Sequence, residues 1–293
     1  MTLISPLEFL KEIVQIDSTN PPGNERLVAE RIKELLDNVG IQNELIPFGD
    51  NRANLVAYLP GDGNSDKVLG LSGHMDVVPV GDVKWQFPPF SATEKDGKLF
   101  GRGTSDMKGG LVALLYAMVQ IKQEQIPLKG NIKFLFTFGE EVGAAGAKEL
   151  VRLGHMDDVT ALIIAEPTKN EIYIAEKGVL WLEIETYGKI AHGSTPHLGI
   201  NAIEHMFQLL KGLHEEFQIN KVKDDLLGER TINITMIQGG VNTNVVPDSC
   251  RVQLDIRTVP EQSHQEVIDE LHALFQKIQK QIPDLTYEMR VIN

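Results

Sequence analysis

One imidazole and five carboxylates stand out in this chain: His74, Asp76, Asp106, Glu140, Glu141 and Glu166. Apolar runs that read as buried strands precede most of them. Lys67–Ser72 leads to His74, Ile132–Phe138 to Glu140, and Ala161–Ala165 to Glu166. Asp106 instead follows a glycine-rich turn and opens a long apolar helix. In open α/β sheets, ligands bind at the carboxyl ends of the strands. Nitrogen and oxygen donors gathered there point to divalent metal, two ions, and hydrolysis.

Each segment has its own chemistry and its own plainer alternative. His74 and Asp76 lie two apart, so an extended backbone puts them on one face. Asp76 then suits the carboxylate that receives the spare N–H of a metal-bound imidazole; the alternative is a His–Asp pair that merely steadies a loop. The stretch Gly101–Gly110 lacks the spacing and the Gly-Lys-Ser/Thr ending of a phosphate loop. Its glycines let the backbone turn tightly and bring in Asp106, whose two oxygens suit a bridge between ions. Asp106 as a simple helix N-cap is the competing reading. Glu140 and Glu141 end a strand carrying Phe134, Leu135, Phe136 and Phe138. Adjacent acids in such surroundings are costly unless a cation compensates. One of them can bind metal while the other takes a proton from water, or both can be ordinary acidic loop residues. Glu166, in Ala165-Glu166-Pro167-Thr168, is weak alone and gains force from the agreement of the four segments.

These residues need a scaffold, and the periodicity supplies one. Ser5-Pro6-Leu7-Glu8 is a capping-box start for a helix to about Ile16. Asn20-Pro21-Pro22-Gly23-Asn24 breaks the chain. A second helix follows with Leu27, Ile32, Leu35 and Leu36 on its apolar side, stopping at Gly40. Strands read at Gln42–Pro47, Asn54–Leu59 and Lys67–Ser72, a helix at Asp106–Gln123, a strand at Ile132–Phe138, a helix at Gly143–Leu153 and a strand at Ala161–Ala165. This alternation predicts an α/β domain with a mostly parallel sheet. Beyond Lys177-Gly178 the order becomes β-α-β-β-α-β: Val179–Tyr187, Ile200–Leu213, Arg230–Gln238, Val245–Arg257 (broken by Pro247), Ser263–Gln281 and Asp284–Ile292. That is the ferredoxin-like unit. The expected domains are therefore 1–177 and 178–293. The second has free strand edges, which predict a homodimer.

Composition narrows the setting. Hydrophobic residues make up 42% and charged residues 24%, a soluble globular balance. The net charge of −13 argues against nucleic acid and against an anionic membrane surface. A single cysteine, Cys250, excludes a disulfide framework and a thiolate zinc site. Met1–Leu10 has no signal-peptide pattern, and Leu111–Val119 is too short to span a bilayer, so a cytoplasmic location is expected.

The combined motifs resemble the M20 family of di-zinc amidohydrolases, and within it the acetylornithine deacetylase/succinyl-diaminopimelate desuccinylase group. The resemblance rests on Ser18–Asn24 (STNPPGN), Ser72–Pro79 (SGHMDVVP), Gly101–Gly110 (GRGTSDMKGG), Thr137–Gly143 (TFGEEVG), Glu166-Pro167-Thr168, Lys189–Pro196 (KIAHGSTP) and Asn242–Asp248 (NTNVVPD). It implies a zinc-hydrolase-like sheet with helices on both faces. It gives His74, Asp106 and Glu166 one Zn2+, and Asp106 with Glu141 a second, with Co2+ or Mn2+ as substitutes. Asp76 would orient His74, Glu140 would be the general base, and His192, across a dimer, would stabilise the oxyanion. Asn244 and Arg257 would meet the carboxylate of a small N-acyl amino acid. For Arg257 a bidentate grip on that carboxylate and a structural ion pair are both open. In the family the chain returns after the second domain with a last histidine for the second zinc. No such segment precedes Asn293, and His155, His197, His205, His214, His264 and His272 are poor substitutes. The expectation is one whole metal position and one incomplete. A dipeptidase or carboxypeptidase of the same family, and a truncated or catalytically silent metal-binding homologue, are the alternatives.

Overall fold

The computed structural model describes residues 3–217 and 222–292 and divides into two compact units, Met1–Glu171 and Ile172–Asn293. In the first, helix α1 (Pro6–Gln15) starts where the sequence predicts: Ser5 Oγ accepts from Glu8 N at 3.2 Å, with proline next. Helix α2 (Glu25–Asn38) buries Val28, Ala29, Ile32, Leu35 and Leu36. Leu27, expected on that apolar side, is exposed, because it lies about 100° around the helix from Val28. There follow β1 (Gln42–Phe48), β2 (Arg52–Leu59), β3 (Val68–His74), a small hairpin of β4 (Thr93–Lys95) and β5 (Lys98–Phe100), α3 (Lys108–Gln123), β6 (Asn131–Thr137), α4 (Ala145–Arg152) and β7 (Ala161–Ile164).

The central sheet runs β1-β2-β6-β3-β7. The α/β layering is as expected, in a mixed sheet: β6-β3-β7 is parallel, while β1-β2 and β2-β6 are antiparallel. Only three residues separate β1 from β2, too few for the crossover a parallel pair requires. Strand alternation sends Leu55, Ala57 and Phe134 to the core shared with α1, α2 and α3, and Val56 and Leu135 to the opposite face with Leu150 of α4. Helices therefore cover both faces. In the parallel part, His74 is level with Thr137 and Ser72 with Ile164, so three strands finish on one edge.

The second unit is β8 (Gly178–Tyr187), α5 (Ala202–Glu216), β9 (Lys223–Asp224), β10 (Gly228–Glu229), β11 (Thr231–Gly239), β12 (Ser249–Thr258), α6 (His264–Gln281) and β13 (Thr286–Val291). Its sheet, β11-β12-β8-β13, is antiparallel throughout, the pairing order of a ferredoxin-like fold. Leu180, Leu182, Ile184, Val252, Leu254 and Ile256 form its core with α5 and α6, and Cys250 is buried among them. The strand expected from Val245 begins only at Ser249. Pro247 has no N–H for a ladder, and Val245 forms just an isolated bridge with His192.

Candidate active site

The edge where β3, β6 and β7 end carries the predicted cluster. His74, the last residue of β3, is almost fully buried, at 2% exposure. Its Nε2 lies 3.2 Å from Asp106 Oδ1, 3.5 Å from Glu166 Oε1 and 3.9 Å from Glu140 Oε2. Two donor sets, His74–Asp106–Glu166 and His74–Glu140–Glu141, each place all their ligand atoms within 4.8 Å of one another. The first is the set expected for one metal. The second brings in Glu141, alongside Glu140 and His74.

Local backbone explains these positions. Asp106 does not cap α3: Met107 is the N-cap and no side chain bonds the helix start, so Asp106 stays available to the cluster. The Asp106–Met107 peptide is cis. The His74 N–H donates to Met107 Sδ at 3.1 Å, tying β3 to the turn. Gly110 lets α3 lie against the end of β7, since a Cβ there would sit 2.0 Å from the carbonyl oxygen of Ala165, the residue before Glu166. After β6 the chain passes through Gly139 at φ 63° and makes a single 3-10 turn, Glu140–Val142, that turns both acids back over the strand ends.

Asp76 lies beside His74 and holds more than the imidazole. The nearest acceptor for His74 Nδ1 is the Asp76 backbone carbonyl at 3.0 Å, whereas the Asp76 carboxylate is 3.5 Å away. The carboxylate accepts from Asn20 Nδ2 at 3.0 Å, from Glu140 N at 3.1 Å and from Glu141 N at 3.2 Å. It therefore fixes the turn that bears the acid pair as much as it orients the imidazole.

The electrostatics of the cluster favour a cation. Burial disfavours the imidazolium of His74, but Asp106, Asp76 and Glu166 overcome it and raise its pKa to about 11. Glu166 is pushed up to about 7, first by burial and then by Asp106, Glu140 and Glu141, against the pull of His74. Glu141 is raised by burial and then by Asp106, Glu140 and Asp76, against the pull of His74. Asp106 is held low by its hydrogen bond to His74. Five acids around one imidazole leave excess negative charge, and one nitrogen donor with several carboxylate oxygens suits Zn2+ and similar divalent ions. The residues fit such a group.

Supporting residues to which the sequence motifs gave no role complete the first unit's site. Ser18–Asn20 runs beside Met75–Val77: Ser18 Oγ donates to Met75 O at 2.7 Å and Asn20 N to Val77 O at 2.9 Å. The Asn-Pro-Pro segment, read as a chain break, is also the anchor for Asp76. Lys108 is fully buried and donates to Ile13 O at 2.8 Å and Ile16 O at 2.9 Å, fastening the end of α1 to α3. Burial lowers its pKa to about 7. A lysine at the head of the mostly apolar run 109–119 was the available signal.

The remaining predicted residues belong to the second unit. His192 and Asn244 are exposed and lie on adjoining loops, joined by Gly193 N to Asn244 O at 2.8 Å. The His192 ring nitrogen Nδ1 is 2.8 Å from Ser194 Oγ. Arg257, on β12, is engaged by Asp255 through Nε at 2.9 Å and Nη2 at 3.0 Å, the ion pair that was one of its two readings.

Comparison with known proteins agrees with the motifs. Residues 70–290 match the model for peptidase family M20/M25/M40. The chain is 39% identical to a protein of Staphylococcus epidermidis described as a probable succinyl-diaminopimelate desuccinylase, over 95% of this chain and 73% of that protein. It is 32% identical to the acetylornithine deacetylase of Myxococcus xanthus, over 97% of this chain and 74% of the other. Among solved structures, an M20 family metallo-carboxypeptidase from Sulfolobus solfataricus has the same fold, with a TM-score of 0.80 at 21% identity over 98% of this chain and 78% of the other. With its motifs, fold and relatives in agreement, the chain belongs to the M20/M25/M40 family of hydrolases.

Proposed function

We propose that this protein hydrolyses the amide bond of an N-acyl amino acid, of the succinyl-diaminopimelate or acetylornithine type, at a centre of two divalent metal ions. The carrying observation is the convergence of His74, Asp106, Glu140, Glu141 and Glu166 on one sheet edge. His74, Asp106 and Glu166 would hold one ion, and Asp106 with Glu141 a second. Zn2+ is the first choice, Co2+ or Mn2+ the substitutes. Bound metal would polarise the acyl carbonyl and acidify the attacking water.

Glu140 takes a proton from that water as its oxygen bonds to the acyl carbon. As the C–N bond breaks, Glu140 returns the proton to the departing amine nitrogen. The products are a carboxylate and a free amine. Asp76 holds the backbone of Glu140 and Glu141 during these transfers. The family resemblance gives His192 the oxyanion, and Asn244 and Arg257 the substrate carboxylate; Arg257 would exchange Asp255 for it. In this reading residues 1–177 form the catalytic domain and 178–293 a dimerisation and lid domain.

Metal analysis and substrate assays test the reading together. Glu140→Ala should lower kcat by about 10²–10⁴-fold while metal content stays unchanged. Full activity in the metal-free protein, or in Glu140→Ala, would sink it. The family also covers peptidases, which favours a dipeptidase or carboxypeptidase as second reading. A panel of succinylated and acetylated amino acids against dipeptides decides between them.

A homodimer through β11 is part of the proposal. β11 is an edge strand whose Ile234, Met236 and Ile237 are exposed, with exposed Phe207 on α5 of the same unit. Ile237→Lys should convert a dimer to monomer in light scattering, and a wild-type monomer at high concentration would exclude the dimer. No helix among the described residues is long and apolar enough to cross a membrane, and the cytoplasmic location remains part of this proposal.

A further inference from the structure

Four successive backbone amides lead the chain into the acid pair, and each donates to a side chain from elsewhere in the fold. Phe138 N bonds Asn54 Oδ1 at 3.1 Å and Gly139 N bonds Glu25 Oε1 at 3.1 Å. Glu140 N and Glu141 N bond the two Asp76 oxygens at 3.1 and 3.2 Å. Asp76 belongs to the site already described. Glu25 does not: it is the first residue of α2, fully buried, and no step above uses it.

Glu25 is itself held in place. Arg52 donates to it through Nη2 at 2.8 Å and Nε at 3.2 Å, a bidentate pair. The same guanidinium lies over the Phe138 ring, 4.9 Å from its centroid. It also crowds Gly139, where a Cβ would sit 2.5 Å from Arg52 Nη2. Burying such a pair costs desolvation that an apolar pair would avoid. Here the pair presents one fixed oxygen to the amide just before the acids. Gly139 has no side chain and a left-handed φ of 63°, so nothing of its own restricts the entry to the turn.

We infer that Glu25, locked by Arg52, is a positioning residue: it fixes the backbone at Gly139 and thereby aims the carboxylates of Glu140 and Glu141. The inference rests on the proposed roles of Glu140 as base and Glu141 as metal ligand. Small displacements matter there, since a shift of about 1 Å in a reacting group can cost about 10²-fold in rate.

Glu25→Ala is the test, read in two ways. In the metal-loaded protein kcat should fall about 10–100-fold with KM changed less than about threefold. In chelator-treated protein, hydrogen exchange at 138–142 should accelerate about tenfold or more while α3 and β3 keep their rates. Glu25→Gln keeps an oxygen for the Gly139 N–H and should recover part of both effects; it carries both measurements if the alanine variant does not fold. Unchanged exchange at 138–142, or kcat within about twofold of wild type, overturns the inference. Glu140→Ala separates the two ideas. An active Glu140→Ala removes the general-base reading, whereas exchange at 138–142 still reports whether Glu25 holds the turn.

Discussion

Removing the Asp76 carboxylate should unfold the first unit at markedly lower denaturant. That carboxylate accepts three N–H groups, from Asn20, Glu140 and Glu141, and is fully buried. Hydrogen bonds to a charged group contribute about 1.5–3 kcal/mol each, so three amount to about 4.5–9 kcal/mol before offsets. Part of this is returned, because Asp76→Ala also removes a buried charge from an acidic neighbourhood. The net loss should be about 3–5 kcal/mol, the usual range for breaking a buried charged arrangement. Asp76→Asn retains one carbonyl oxygen but turns an amide toward a donor, and should lose about 1–2 kcal/mol. The chain has two tryptophans, Trp85 in the first unit and Trp181 in the second. Urea unfolding of a Trp181→Phe background, followed by Trp85 emission with chelator present, isolates the relevant unit. With a slope of about 2 kcal/mol/M, Asp76→Ala should lower the midpoint by about 1.5–2.5 M. A shift below about 0.3 M at unchanged slope would refute the reasoning that Asp76 secures the turn.

Gly110→Ala should loosen α3 against the end of β7, because its Cβ would lie 2.0 Å from Ala165 O; a loss of about 1–3 kcal/mol is expected in the same assay, with weaker metal binding through displaced Glu166. Ser263→Ala removes a reciprocal capping box with Glu266 at the start of α6 and should cost the second unit about 1 kcal/mol, read from Trp181 emission. Metal affinity should fall with acid. His74, raised to about 11 by its acidic neighbours against burial, must shed a proton to ligate, and below about 7 Glu166 must shed one as well. Zn2+ affinity by chelator competition should therefore change about tenfold per pH unit above 7 and more steeply below it; a flat profile would contradict the proton competition.

Much of this arrangement is legible in the sequence because its signals are local. Apolar runs that end in an acid or a histidine mark strand ends, and the structure gathers His74, Glu140, Glu141 and Glu166 at one edge for that reason. Asp106 is legible through its glycines, although the helix begins two residues later than the periodicity implies. The β-α-β-β-α-β order of the second unit likewise follows from periodicity, and its capping serine, Ser263, stands where the spacing puts it. Short elements with few residues to show a period, the β4–β5 hairpin and the β9–β10 pair, are not legible in this way.

What the sequence by itself determined is the donor inventory and the strand ends that present it: one imidazole, five carboxylates and the turns beside them. Only the tertiary structure decided how those groups are aimed. Asn20, Glu25 and Asn54 sit in a turn, at a helix start and in a strand, yet their hydrogen bonds cross the fold to Asp76 and to the amides of Phe138 and Gly139, and Arg52 reaches across to hold Glu25. Such bonds join residues up to 114 positions apart, and no periodicity or spacing encodes a partner at that distance. Direction and hydrogen bonding are properties of packed three-dimensional neighbours, so the sequence shows which groups are available and the fold shows what each one holds.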